Sequence, residues 1–168
     1  MITLDAGTAS PVTFTVIALN GAGVSTSDEN ALSVVILLSY RSFDEVFGGD
    51  LPGEDPNVES TVGPLVGDVE VYKVNHHGSR FSSTDAWLDA VSPEVAIISV
   101  GDNSFGHPTA DALGRLYNHD ARIYWTDLGD GVFPGPDDTV SGSIVLEVMS
   151  LTYSVSGDGF QDHYSSKP

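Results

Sequence analysis

From Asp68 onward, short β-branched runs alternate with segments of helical periodicity, and this alternation restricts the fold more than any other feature. Val69-Glu70-Val71-Tyr72-Lys73-Val74 predicts a strand, Thr84–Val91 a helix with Trp87, Leu88 and Val91 on one face, and Val95–Val100 a buried strand. A second helix is expected to open at Pro108, in the favoured first-turn position, with Leu113, Leu116 and Tyr117 inward, followed by a strand over Ala121–Trp125. Ser82, three residues before Asp85, suggests a capping-box-like start for the first helix. A β-α-β-α-β order of this kind belongs to a layered α/β fold.

The flanks are more strand-like. Val12–Ile17 alternates, Ser33–Leu38 is a continuous aliphatic run, Tyr40-Arg41-Ser42 reads as a turn, and Phe43–Phe47 returns as a strand that stops at Gly48-Gly49-Asp50. A short helix is expected over Val58–Val66. Ile144–Val148 and Leu151–Val155 read as a terminal hairpin. One domain over 1–156 and a flexible polar tail over 157–168 are therefore expected. At 168 residues the chain is long enough for a real core, and its mean hydropathy is near zero. Its longest apolar run, Val34–Leu38, is too short to cross a bilayer, and no basic region follows Met1 to suggest a signal peptide.

Composition excludes several chemistries. With no cysteine, disulfides and thiolate metal sites are ruled out, so any metal must sit on His, Asp or Glu. With 24 acidic and 6 basic residues, a net charge of −18, the chain has no global basic stripe for non-specific nucleic-acid binding. The acidity suits a solvated surface in a salty or extracellular setting. Two of the basic residues, Lys73 and Arg80, nevertheless flank the pair His76-His77 and make a local positive island that suits an anionic substrate.

Three sharp breaks follow three strands: Gly49-Asp50, His76-His77-Gly78-Ser79 and Gly106-His107-Pro108. Ligands of layered α/β folds gather at strand ends, so these breaks can converge on one edge. A carboxylate with imidazoles suits Zn²⁺ or Mn²⁺, which activate water and polarise phosphoryl groups. Each residue also has a plainer reading. Asp50 after two glycines suits a turn, a single histidine is more often a surface or core residue than a ligand, and His107 reads either as a substrate contact or as a residue just outside the helix start. His119 and His163 read as helix-end and tail residues, and Asp127 as a turn residue, with support of a metal ligand by a hydrogen bond as the other reading.

The series Ser33–Leu38, Gly48-Gly49-Asp50, Val71–Ser79, Ser82-Ser83, Ile98–Gly101, Gly106-His107-Pro108 and Thr126-Asp127 resembles the C-terminal half of a metallo-β-lactamase-fold hydrolase. The branch it is most similar to is the extracellular or periplasmic nuclease-like domain of ComEC-type DNA-uptake competence proteins. The resemblance implies half of an αββα sandwich, an extracellular or periplasmic setting, and a two-metal site between the sheets. It implies Asp50 as a metal-bridging ligand, His77 as a ligand, and His76 and His107 beside the substrate in catalytic positions. Ser79, Lys73 and Arg80 are expected to bind a small anionic or phosphodiester substrate, DNA included. The family's upstream His-x-His-x-Asp-His motif is absent, since the first histidine is His76. Two readings therefore stay open: a metal-dependent phosphodiester hydrolase whose two-metal site needs the other half, and an inactive binding or interaction module. A truncated sandwich is also expected to expose one apolar sheet face and to self-associate through it.

Overall fold

A computed structural model describes residues 1–167; Pro168, the last residue of the expected tail, lies outside the described residues. The strands are β1 (Ile2–Leu4), β2 (Val12–Ala18), β3 (Val35–Tyr40), β4 (Phe43–Phe47), β5 (Val71–Lys73), β6 (Val95–Ile98), β7 (Arg122–Trp125), β8 (Thr139–Val140), β9 (Val145–Val148), β10 (Thr152–Gly157) and β11 (Phe160–Ser165). The helices are α1 (Glu59–Val66), α2 (Asp85–Val91) and α3 (Ala110–Asn118). Strands β1 to β8 form one sheet in sequence order, antiparallel up to β4 and parallel from β4 to β8. The expected α/β layered architecture is observed.

The sequential strand order decides where the helices go. Parallel crossovers share one hand, so a sheet that always advances in the same direction receives all its helices on one face. That face carries the main core: Val46, Tyr72, Ala96, Ile98, Ile123 and Trp125 from the strands meet Val62, Trp87, Leu88, Val91, Leu113 and Leu116 from the helices. Side chains alternate along each strand, so Phe43, Val71, Val95, Ile97 and Tyr124 point the other way. There they pack with Tyr153 and Val155 of the small sheet β11-β10-β9. The layers are thus helices, large sheet, small sheet. The small sheet does not reach β1 and β2. On that part of the face Ile2, Leu4 and Val16 are 45% exposed or more, beside Phe14 and Ile36 in register.

Several local expectations are corrected. Thr84, not Ser82, caps α2: its backbone is extended and its hydroxyl accepts from Trp87 N at 3.4 Å. Ser82 Oγ is committed elsewhere, donating to the carbonyls of Asn75 and Ser79. Helix α3 starts after Pro108, with Thr109 as its cap, accepting from Ala112 N. Tyr117 faces outward, where its hydroxyl donates to Asp138. The expected flexible tail is largely a strand: β11 pairs with β10 from Phe160↔Gly157 to Ser165↔Thr152. Of its inward residues, Phe160 packs on the core, while Asp162 and Tyr164 present polar ends that Tyr124 Oη bonds, at 2.6 and 2.5 Å.

Candidate functional site

Phe47, Lys73, Ile97 and Tyr124 are in register across β4 to β7, so the loops that follow these strands leave one edge of the sheet together. Those loops carry Asp50, His76-His77, the segment 99–107, and Thr126-Asp127. The tight chain reversal after β5 is made by three consecutive left-handed residues, His76 (φ 49°), His77 (φ 54°) and Gly78 (φ 79°). Left-handed backbone costs about 1–2 kcal/mol per non-glycine residue, so two histidines held this way mark a conformation fixed by its surroundings.

Those surroundings are visible. Asn75 N donates to Tyr72 Oη at 2.8 Å, and Asn75 Nδ2 donates to Glu59 Oε1 at 2.8 Å. Glu59 is fully buried and also accepts from Ser83 N (2.7 Å), Thr84 N (2.9 Å) and Thr84 Oγ1 (2.9 Å). One carboxylate therefore ties the start of the histidine turn to the start of α2. Burial pushes its pKa up, and these hydrogen bonds oppose that rise. His76 N donates to Gly49 O at 2.9 Å, which joins the turn to the Asp50 loop. Asp50 N donates to Ser33 Oγ at 3.2 Å.

Asp50, His76, His77 and His107 come together at this edge. His77 Nδ1 meets the carbonyl of Ser99 at 2.6 Å, so that nitrogen carries a proton, and Nε2 is the ring nitrogen turned toward Asp50. His77 Nε2 stands 3.5 Å from Asp50 Oδ1. His76 and His107 meet edge to face, with ring centroids 5.5 Å apart, and the Nδ1 of each has no hydrogen-bond partner among the described residues. Burial lowers the pKa of His76, with Asp50 opposing; burial and then the two neighbouring histidines lower that of His107. Both shifts favour the neutral imidazole.

Two cavities flank the histidines. His76 lines one of about 340 Å³ with Asp28, Glu54, Asp55 and Phe81. His77 and His107 line another of about 240 Å³ with Val100, Asp102, Asn103 and Phe105. A slightly larger cavity of about 370 Å³ lies by Tyr117, Arg122 and Asp138, at the start of β7 and away from the histidines. Its Asp138 carboxylate is taken up by Tyr117 Oη, Trp125 Nε1 and Gly135 N, so the chemistry belongs to the histidine edge.

The other expected residues are placed as follows. Lys73 Nζ donates to Val74 O at 3.1 Å, and burial lowers its pKa while Asp50 opposes. Arg80 lies over the Phe81 ring at 4.4 Å. Ser79 is 2% exposed, and its hydroxyl accepts from Phe81 N within the loop. Asp127 accepts from Leu128 N, as a turn residue does. His119 sits at the end of α3 beside Asp85, away from this edge, and His163 lies in β11. Glu59 and Asn103 have structural roles here that their sequence context does not announce. Among the described residues, no group of three or more His, Asp or Glu is placed to hold a metal ion.

The chain is 36% identical over 104 residues to Competence protein ComA of Neisseria gonorrhoeae, a match covering 60% of this chain and 15% of that protein. It is 31% identical over 102 residues to ComE operon protein 3 of Bacillus subtilis, covering 60% and 13%. It is 30% identical over 106 residues to Recombination protein 2 of Haemophilus influenzae, covering 62% and 13%. These relatives tie the chain to proteins named for competence and recombination, and it spans about a seventh of their length. No family model matches it.

Proposed function

We propose that this chain carries part of the metal centre of a metallo-β-lactamase-type hydrolase that cleaves phosphodiesters, DNA among them, in a protein serving DNA uptake. The Asp50–His77 pair carries this reading. Its 3.5 Å separation is too long for a charge-assisted hydrogen bond, which lies near ~2.8 Å. It suits two donors on one tetrahedral ion, where bonds of about 2.0–2.2 Å put neighbouring donors roughly 3.4 Å apart. The Ser99 carbonyl fixes the His77 tautomer in the way an outer partner of a metal-bound histidine does. The donor types fit Zn²⁺ or Mn²⁺, with Asp50 and His77 as the residues that would hold it.

Such an ion supplies an activated water and polarises the phosphoryl oxygen. The chain's own residues supply the rest. The His76 and His107 rings line the two cavities beside the pair and would stand against the substrate. Lys73 offsets the negative charge of Asp50. Sites of this kind use three or more protein donors, and two stand here, so the further donors of a two-metal centre come from outside these 168 residues. That two-donor count also favours a second reading, an inactive binding module.

Hydrolysis of bis-p-nitrophenyl phosphate by the full-length gene product, with zinc or manganese, separates the two. Turnover that Asp50→Ala abolishes supports the hydrolase. Turnover unchanged by Asp50→Ala, or none with either metal, refutes it.

A further inference from the structure

The loop between β6 and α3 holds one aromatic ring in the open. Phe105 is 79% exposed, yet the loop carrying it is closely tied. Asn103 Nδ2 donates to the carbonyls of Gly101 and His107 at 3.0 Å each, and Asn103 Oδ1 accepts from Phe105 N and His107 N at 3.1 Å each. Asn103 N donates to Asp130 Oδ2 at 3.0 Å, and Gly131 N donates to His107 O at 3.1 Å. An exposed phenylalanine on a slack loop would fold back onto apolar surface. These bonds hold Phe105 out, with its ring stacked on His107 at a centroid distance of 6.0 Å and an interplanar angle of 23°.

The two cavities beside the histidines differ in what they can accept. The wall on the His76 side carries three carboxylates, Asp28, Glu54 and Asp55, and repels an anion or its near neighbours. The wall on the His77 side has one, Asp102, together with Val100, Asn103 and the Phe105 ring. A phosphodiester seated at Asp50–His77 therefore finds its less acidic, more apolar wall for a flat uncharged substituent toward Phe105. The phosphodiester with such a substituent is a nucleotide. Base stacking on an aromatic side chain needs no sequence-specific contact, and it tolerates a protein whose global charge offers no attraction to long polyanions.

We propose that Phe105, backed by His107, is a stacking platform that seats the nucleobase adjoining the phosphodiester held at the Asp50–His77 edge. The position of the phosphate rests on the hydrolase reading; the platform itself is a binding device and needs no turnover.

The test is an NMR titration of the whole chain with thymidylyl-thymidine, without metal, reading the broadening of the base protons and the Kd. Wild type, Phe105→Ala and Phe105→Leu are compared, with dimethyl phosphate as the probe that lacks a base. Because Phe105 is exposed, neither variant disturbs the core. The expected result is base-proton broadening in wild type and a weakening of about fivefold to a hundredfold in both variants. Dimethyl phosphate, which has no base, should show no difference among the three proteins. Absent broadening in wild type, or equal Kd values for the dinucleotide across the three proteins, would overturn the platform. Intact stacking with no metal-dependent turnover in the full-length protein would refute the hydrolase reading and leave the platform standing.

Discussion

Replacing Glu45 with glutamine should stabilise the protein at neutral pH and leave it unchanged in acid. Glu45 lies in the middle of β4 between Leu38 of β3 and Val71 of β5, and is 7% exposed. Burial alone pushes its pKa from 4.5 to about 7. The folded state therefore binds this proton more tightly than the unfolded chain does. The associated stability is fully present below pH 4.5 and is lost as pH rises to about 7. A rise of about 2.5 units at ~1.36 kcal/mol per unit makes the loss of order 3 kcal/mol. Urea unfolding of wild type and Glu45→Gln at pH 4 and pH 8 measures it. Comparison at equal pH removes the shared effect of the −18 net charge. The gain from the substitution should grow by about 3 kcal/mol between the two pH values. Parallel stability curves for the two proteins would refute the reasoning.

Glu59→Ala should destabilise by about 3–5 kcal/mol, because it strands the buried donors of Asn75, Ser83 and Thr84; urea unfolding reads this directly. Gly78→Ala should cost about 2–4 kcal/mol in thermal unfolding, from its left-handed backbone and from overpacking. The added Cβ would stand 2.6 Å from Pro108 Cβ. Self-association through the exposed strip of β1 and β2 should appear in sedimentation as a mass that rises with concentration. Val16→Glu should hold that mass at the monomer, and no rise in wild type would remove the proposal.

The sheet and helices from β4 to β7 were legible because the strands are short, largely buried runs rich in β-branched and aromatic residues and α2 buries Trp87, Leu88 and Val91. The polar residues at the strand ends were legible for the same reason: once the strands are placed, Asp50, His76-His77 and His107 must leave at one edge. Capping was not, since Ser82, Ser83 and Thr84 offer three adjacent hydroxyls and only the tertiary contacts of Ser82 remove it from the choice. Strand β11 was hidden because its inward row, Phe160, Asp162 and Tyr164, carries a carboxylate and a phenol, and their polar ends are met by Tyr124. The role of Glu59 was hidden too. An acid in a first helical turn is ordinary, and its partners lie 16 to 25 residues away.

The Asp50–His77 pair is tested most directly by ¹⁵N NMR of the histidine rings during a zinc titration of the chain and its Asp50→Ala variant. With zinc, the His77 Nε2 resonance should move to the metal-bound position while Nδ1 stays protonated on Ser99, and Asp50→Ala should abolish the movement. A His77 Nε2 resonance unmoved at saturating zinc, or moved equally in Asp50→Ala, would contradict a metal site built on this pair.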